Sequence, residues 1–226
     1  MLKWEELPEE MRNDEVYHYY KILKRHPISL AMKRVADVIF SLCLIAVLSP
    51  VFVILSVLIK KDSEGPVFFR QTRITRYGKY FRIYKFRTMV ENAEQIGNQV
   101  TSKNDMRITK IGSKIRDLRL DELPQLFNVL KGEMSFVGTR PEVGKYVARY
   151  TDRMKATLLM PAGITSEASI LYKDEARLLE NAEDADKVYV EKVLPEKMKY
   201  NLAEIENFGF GKGLRTMVKT LVAVFR

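Results

Sequence analysis

The chain contains one long apolar stretch, Lys33-Arg-Val-Ala-Asp-Val-Ile-Phe-Ser-Leu-Cys-Leu-Ile-Ala-Val-Leu-Ser-Pro-Val-Phe-Val-Ile-Leu-Ser-Val-Leu-Ile-Lys-Lys61. Between its basic ends, the residues from Val35 to Ile59 are apolar apart from Asp37 and three serines. As a straight helix they would be about 37 Å long, which is enough to cross a hydrocarbon core of about 30 Å. The stretch starts too deep in the chain and is too long to be a cleaved signal peptide. It therefore predicts a membrane helix.

Two features of this stretch favour a helix that enters and leaves the membrane on the same side. Lysine and arginine residues flank both ends, and positive charge beside a membrane segment favours the cytoplasmic face. Ser49 and Pro50 lie near the middle, where proline removes a backbone hydrogen bond and kinks a helix. The Ser49 hydroxyl can satisfy a carbonyl that the proline frees. We predict a re-entrant helix over residues 33–61, with a Pro-kinked single span as the alternative.

The rest of the chain predicts an α+β fold that is mainly helical and has a small β-hairpin. Residues 1–32 form a leader whose helix is expected to lie along the membrane surface or to bind a partner. Residues 67–71 and 80–86 are rich in aromatic and β-branched residues and flank a turn, as in a hairpin. Residues 62–226 are expected to form the cytoplasmic catalytic domain. Its C-terminal stretch, residues 212–226, is a basic amphipathic helix that suits a membrane interface or a protein core equally well.

Composition and charge limit the chemistry. The net charge of +9 implies an anionic partner such as nucleic acid, acidic lipid or a phosphorylated substrate. No aromatic nucleic-acid motif accompanies the basic residues, so nucleic acid is not expected. The single cysteine, Cys43, excludes a disulfide framework within one chain, and both histidines, His18 and His26, lie in the leader. Catalysis is therefore expected to use carboxylates, lysine, arginine, serine or threonine.

The stretch Arg116-Asp-Leu-Arg-Leu-Asp-Glu122 carries the candidate catalytic groups. A helix is expected to begin at or near Asp121 and to run to Leu130, so that its N-terminal N–H groups would keep Asp121 ionised and available as a nucleophile. Glu122 can hold Mg²⁺ together with substrate phosphate. Arg116 and Arg140 can neutralise a transferring phosphoryl group. The alternative is that an Asp-Glu pair simply begins a helix.

Two basic residues of the predicted hairpin also have two interpretations. Lys85 and Arg87 lie on its second strand or directly after it. They are candidate phosphate ligands, or charges that protect the edge of the sheet.

Several motifs occur in a fixed order between about residues 30 and 150. They are Lys33-Arg-Val-Ala-Asp37, Ser49-Pro50, Gly65-Pro-Val-Phe-Phe-Arg-Gln71, Tyr84-Lys-Phe-Arg-Thr-Met89, Asp105-Met-Arg-Ile-Thr-Lys-Ile-Gly112, Leu120-Asp-Glu-Leu-Pro-Gln-Leu-Phe-Asn-Val-Leu-Lys-Gly132 and Met134-Ser-Phe-Val-Gly-Thr-Arg-Pro141. This order resembles the bacterial sugar transferase family, the monotopic polyprenyl-phosphate phosphoglycosyl transferases. The chain looks like the small, single-domain type.

The resemblance implies a two-step reaction. The aspartate matched by Asp121 attacks the sugar-linked phosphate of a UDP-sugar and releases UMP, and a polyprenyl phosphate, commonly undecaprenyl phosphate, then takes the phosphosugar. Glu122 is expected to help bind Mg²⁺, and Arg116 and Arg140 are expected at phosphates. The family's helix is re-entrant, which places the enzyme among phospholipids on the cytoplasmic face of the bacterial inner membrane. A homodimer is left open.

The chain departs from the family pattern in two places. Thr139 replaces the first proline of a Pro-Arg-Pro motif, and the segment after Pro161 is altered. The donor-recognition region is expected to include Pro141, Glu142, Thr165 and Glu167, and the identity of the sugar stays open. A non-catalytic membrane scaffold of a glycan assembly complex and a lipid-phosphate phosphatase are the alternative functions.

Overall fold

The computed structural model describes residues 1–93, 105–172 and 184–224. The α-helices are α1 (Asp14–Lys24), α2 (Pro27–Asp62), α3 (Lys110–Asp117), α4 (Gln125–Lys131), α5 (Gly144–Val147), α6 (Glu167–Leu171), α7 (Ala185–Val188), α8 (Leu194–Glu206) and α9 (Phe210–Val224). The strands are β1 (Phe68–Ile74), β2 (Tyr80–Phe86), β3 (Met134–Val137) and β4 (Ala162–Thr165). The predicted α+β fold with mainly helical content is confirmed.

The predicted hairpin is present, and a second sheet accompanies it. Strands β1 and β2 are antiparallel, with Phe68 opposite Phe86 and Ile74 opposite Tyr80. Strands β3 and β4 form a short parallel pair that the sequence did not reveal. The second sheet matters for the site because Arg140 follows β3 directly.

Helix α2 runs without a break through Pro50, from residue 27 to residue 62, so it begins six residues before the predicted start. Pro50 cannot bond the carbonyl four residues before it, which belongs to Ala46. The Ser49 hydroxyl donates to that carbonyl at 2.8 Å, as predicted. In the described part of the chain, α2 is the helix that is long and apolar enough to cross a membrane.

Both halves of α2 pack on the same domain. In the first half, Arg34 donates to the carbonyls of Val129 and Leu130 at the end of α4, at 2.7 and 2.8 Å. Asp37 accepts hydrogen bonds from the Phe136 amide and the Ser135 hydroxyl of β3. In the second half, three apolar residues form a core with β2, α3 and α4: Phe52, Leu55 and Ile59.

The leader does not lie free on a surface. The apolar side of α1 is buried in the largest hydrophobic cluster, together with residues from 150 to 205: Val16, Tyr19, Tyr20 and Leu23. This face was expected to contact the membrane, but protein covers it. Residues 1–32 are thus part of the same core as the C-terminal half of the chain.

The C-terminal helix α9 has one packed side and one open side. Thr216 is buried, and Thr220 bonds the Thr165 hydroxyl at 2.8 Å. On the other side, Val218 and Leu221 are 61% and 62% exposed. The helix therefore packs on the domain, as one of the two expectations had it, and it leaves an apolar strip exposed beside its lysine and arginine residues.

Candidate active site

The structure places Asp121 and Glu122 in a single 3₁₀ turn, Leu120–Glu122, rather than at the start of an α-helix. The regular helix α4 starts at Gln125, directly after Pro124. Proline is tolerated at the beginning of a helix, because the N–H that it lacks would have no partner within the helix there. The predicted helix start at Asp121 is therefore wrong. The groups that stabilise negative charge here are side chains.

Three basic side chains surround the two carboxylates. Lys85 Nζ lies 3.0 Å from Glu122 Oε1 and 3.9 Å from Asp121 Oδ2. Arg140 holds Glu122 with both terminal nitrogens, at 2.7 Å to Oε1 and 3.5 Å to Oε2. Arg116 lies close enough to Asp121 for the aspartate charge to raise the pKa of the guanidinium, although burial lowers that pKa overall. These residues come from β2, α3 and the segment after β3, so the fold gathers what the sequence separates.

The pKa values of the two neighbouring carboxyl groups are shifted in opposite directions. Burial raises the pKa of Asp121 above its ordinary value, and the charge of Lys85 offsets only part of this effect. Burial would also raise the pKa of Glu122, but Arg140 and Lys85 hold it well below its usual range. Glu122 is thus ionised and paired with both Lys85 and Arg140. Asp121 is the carboxyl group left for chemistry, and its side chain is 13% exposed.

A close contact between α3 and the end of the hairpin positions Arg116. Its Nε donates to the Thr88 hydroxyl at 2.9 Å. The main-chain oxygen of Thr88 also accepts a hydrogen bond from the Thr109 amide. A Cβ at Gly112 would lie 2.1 Å from that oxygen, so only glycine permits α3 to approach this closely.

Sequence reasoning assigned no role to two residues of this site. Thr88 orients Arg116. Arg119 adopts a left-handed conformation with φ 56°, which is uncommon for a non-glycine residue, and its charge lowers the pKa of Asp121. Thr88 could have been suspected because it lies within a quoted motif, whereas the backbone conformation of Arg119 leaves no signal in the sequence.

Arg87, a predicted phosphate ligand, has a different placement. Its side chain is buried, and its guanidinium donates to the carbonyls of Ser63 and Glu64 at the end of α2. It fixes the end of α2 to the hairpin, and the structure does not bring it to Glu122.

The predicted donor-recognition residues are dispersed. Pro141 accepts a hydrogen bond from Arg73. Glu142 is turned inward and is 7% exposed. Thr165 bonds α9, and Glu167 forms an ion pair with Lys219 of α9. None of these contacts is with Asp121 or Glu122.

Glu167 instead lines an apolar cavity of about 280 Å³ between α2, α8 and α9. Phe40 of α2 and Met217 of α9 contribute to its walls. Glu204 also lines it, and burial raises the pKa of this carboxyl group to about 7. The cavity does not include the two carboxylates of the site.

The carboxylate pair fits a Mg²⁺ ion that also binds substrate phosphate, since Mg²⁺ commonly uses one or two carboxylates and completes its shell with water and phosphate oxygens. Within residues 1–93, 105–172 and 184–224, no three His, Cys, Asp or Glu side chains are grouped so that they could hold a metal. The residues described there thus offer no protein cage, and Glu122 would be the carboxylate that holds such an ion together with substrate phosphate. Of the two Glu122 oxygens, Oε2 has the longer contact with Arg140, at 3.5 Å.

A comparison with protein families matches residues 28–226 to the family described as bacterial sugar transferase. The chain belongs to the bacterial sugar transferase family. The match includes α2, both sheets and every residue of the site described above, so the resemblance drawn from the motifs is confirmed.

Three curated relatives of this family carry specific names. A UDP-N-acetylgalactosamine-undecaprenyl-phosphate N-acetylgalactosaminephosphotransferase of Aeromonas hydrophila is 36% identical over 86% of this chain and 44% of its own length. A putative undecaprenyl-phosphate N-acetylgalactosaminyl 1-phosphate transferase of Bacillus subtilis is 40% identical over 61% of this chain and 76% of its own length. A UDP-glucose:undecaprenyl-phosphate glucose-1-phosphate transferase of Klebsiella pneumoniae is 38% identical over 69% of this chain and 34% of its own length. The chain thus spans less than half the length of the first and third relatives.

Proposed function

We propose that this chain transfers a sugar 1-phosphate from a UDP-sugar to a polyprenyl phosphate, with undecaprenyl phosphate as the acceptor. The observation that carries the proposal is the difference between the two carboxylates. Lys85 and Arg140 pair with Glu122 at 3.0 and 2.7 Å, whereas Asp121 lies 3.9 Å from Lys85 and is largely buried. A buried carboxylate surrounded by cations is suited to attack phosphorus, because the cations attract the anionic donor and stabilise the charge that develops on it.

In the first step, an Asp121 oxygen forms a bond to the phosphorus that carries the sugar. The bond from that phosphorus to the bridging oxygen of the donor breaks, and UMP leaves with the electron pair. Arg116 and Lys85 neutralise the transferring phosphate, while Arg140 binds Glu122 and the phosphate oxygens beside it. In the second step, an oxygen of the polyprenyl phosphate attacks the same phosphorus and frees Asp121.

Each new phosphate linkage replaces one of similar energy, so no nucleoside triphosphate is required. A covalent intermediate allows a soluble donor and a membrane-bound acceptor to use one site in turn. Burial of Asp121 limits the access of water, which would otherwise hydrolyse the acyl phosphate. Bound Mg²⁺ would supply positive charge to the donor's diphosphate at Asp121 and Glu122.

The packing of α2 supports a site at the face of one leaflet. Phe127 and Val129 are two residues apart on α4. The ring of Phe52 lies 5.6 Å from the ring of Phe127, and Arg34 donates to the carbonyl of Val129. Both halves of α2 thus contact α4 of the same domain, and basic residues flank both ends of its apolar stretch. We therefore propose a re-entrant helix on the cytoplasmic side of the bacterial inner membrane.

The test of this function is UMP release by purified protein in detergent with Mg²⁺, polyprenyl phosphate and a panel of UDP-sugars. The wild type should release UMP with at least one donor, and Asp121→Asn should abolish the release. Asp117→Asn is the matched control, since Asp117 lies four residues earlier on α3 and is exposed. UMP release at an undiminished rate by Asp121→Asn would refute the assigned nucleophile. A wild type that releases no UMP would favour a scaffold, and release of free phosphate without a nucleotide donor would favour a phosphatase.

A further inference from the structure

Arg140 lies on an irregular connection between β3 and α5. Main-chain hydrogen bonds fix this connection on both sides of Arg140. The Gly163 amide of β4 donates to the Thr139 carbonyl at 2.9 Å, and the Ile74 amide of β1 donates to the Glu142 carbonyl at 3.0 Å. The position of Arg140 against Glu122 therefore depends on how firmly residues 139–142 are held between the two sheets.

The side chain of Glu142 belongs to a buried cluster beneath this connection. Its carboxylate accepts a hydrogen bond from the Tyr189 hydroxyl at 2.5 Å and lies 3.7 Å from Lys197 Nζ. Lys197 also donates to the Tyr189 hydroxyl at 3.2 Å. The three residues are 7%, 4% and 5% exposed. A carboxylate, a phenol and an ammonium group that bond one another in this way fix a connection firmly, because breaking any one bond leaves a buried polar group unsatisfied.

Glu142 also counters a repulsion at the site. Arg73 is half-buried and donates to the Pro141 carbonyl at 3.4 Å. The charge of Arg140 lowers the pKa of Arg73 and the charge of Glu142 raises it, although burial has the largest effect, which is to lower it. The two guanidinium groups are thus close enough to repel each other. The charge of the Glu142 carboxylate offsets this repulsion at Arg73.

We propose that Glu142, Tyr189 and Lys197 are positioning residues that hold Arg140 in place against Glu122. This proposal rests on the function proposed above. It implies that three buried residues help to set the geometry at the donor phosphates. It also explains how the connection is held although Thr139 stands where the family resemblance predicts a proline. Glu142 acts through Arg140 rather than by contact with the donor.

The first test compares Tyr189→Phe with Tyr146→Phe in the full chain. Both changes remove one phenolic hydroxyl, and the centroids of the two rings lie 4.6 Å apart at an interplanar angle of 46°. The hydroxyl of Tyr146, however, bonds the exposed carboxylate of Asp186. We expect kcat/KM for UMP release to fall roughly 10- to 100-fold in Tyr189→Phe, because small misplacements of charged groups have effects of this size. Tyr146→Phe should retain wild-type activity.

A double-mutant cycle distinguishes positioning from general destabilisation. If Tyr189 acts through Arg140, Tyr189→Phe should cause no further loss in an Arg140→Ala background. An equal fold-loss in both backgrounds, or a wild-type kcat/KM in Tyr189→Phe, would overturn the proposal. The thermal unfolding midpoints of the wild type, the two single variants and the double variant show whether a loss of activity follows from a loss of stability.

Hydrogen exchange provides a readout that does not depend on activity. We expect the Ile74 amide, which bonds the Glu142 carbonyl, to exchange at least about threefold faster in Tyr189→Phe, since the bond opens more often. Amides within β2 serve as the reference. If the wild type releases no UMP, the proposed function fails, and exchange at Ile74 still decides the structural claim. Unchanged exchange at Ile74 would refute it.

Discussion

At the scale of single residues, the sequence identified the types of group at the site but not their pairing. Asp121, Glu122, Lys85, Arg116 and Arg140 all meet in one place. The sequence could not show that Glu122 is paired on both sides and that Asp121 is not, because those contacts join segments 18 and 37 residues apart. The burial that raises the pKa of Asp121 likewise depends on segments that are far apart in the sequence.

The pairing at Lys85 predicts a change in pH dependence. Lys85 lowers the pKa of Asp121, so Lys85→Met should raise that pKa and reduce the ionised fraction of the nucleophile at any given pH. The acid limb of kcat/KM for UMP release, which reports the free enzyme, should therefore move to higher pH. Lys79→Met, at the exposed turn of the same hairpin, should leave the acid limb in place. An acid limb that does not move in Lys85→Met would contradict the assignment of Lys85 as a neighbour of the nucleophile.

At the scale of elements, the strongest patterns gave correct predictions and the shortest elements escaped notice. The hairpin appears as expected. Strands β3 and β4 have four residues each, which is too short for alternation to be visible. They pair where Gly138 and Gly163 let the backbones come close together, since a Cβ at Gly163 would lie 2.2 Å from the Gly138 nitrogen.

The contact between α3 and Thr88 gives a prediction for one glycine. Gly112→Ala should push α3 away from the Thr88 carbonyl, since the new Cβ would lie 2.1 Å from that oxygen. We expect a loss of about 1–3 kcal/mol in the free energy of unfolding, as for other overpacked sites. Activity should also fall, because Arg116 moves with α3.

Gly211→Ala is the matched control for this change. A Cβ at Gly211 meets no atom within 4 Å, and alanine is the better helix former by about 1 kcal/mol. The thermal unfolding midpoint should thus be unchanged or higher in this variant, and UMP release should be at least as fast as in the wild type. If Gly112→Ala were as stable and active as Gly211→Ala, the close approach of α3 would be refuted.

At the scale of the whole molecule, the sequence identified a helix that is long and apolar enough to cross a membrane, but not what covers the other helices. The apolar side of α1 predicted a helix on the membrane surface or one that binds a partner, whereas the structure buries it against residues 150–205. An amphipathic pattern shows that one face must be covered, but it does not identify the cover. For α2 the pattern was more informative, because Pro50 and the basic flanks limit how the helix can enter a bilayer.

The topology of α2 can be tested by cysteine labelling in sealed inner-membrane vesicles of known orientation. Cys43 is first replaced by alanine, and single cysteines are then introduced as Lys24→Cys and Glu64→Cys at exposed positions before and after the apolar stretch. A re-entrant helix predicts that a membrane-impermeant reagent labels both positions from the cytoplasmic side. Labelling from opposite sides would establish a single span and contradict the one-leaflet arrangement.

The most direct test of the central claim is the intact mass of the protein after a short pulse of UDP-sugar and Mg²⁺ with no acceptor present. The account predicts that the wild type gains the mass of one phosphosugar, that Asp121→Asn gains none, and that added polyprenyl phosphate removes the gain. An unchanged wild-type mass in a preparation that turns over the donor would contradict a covalent role for Asp121.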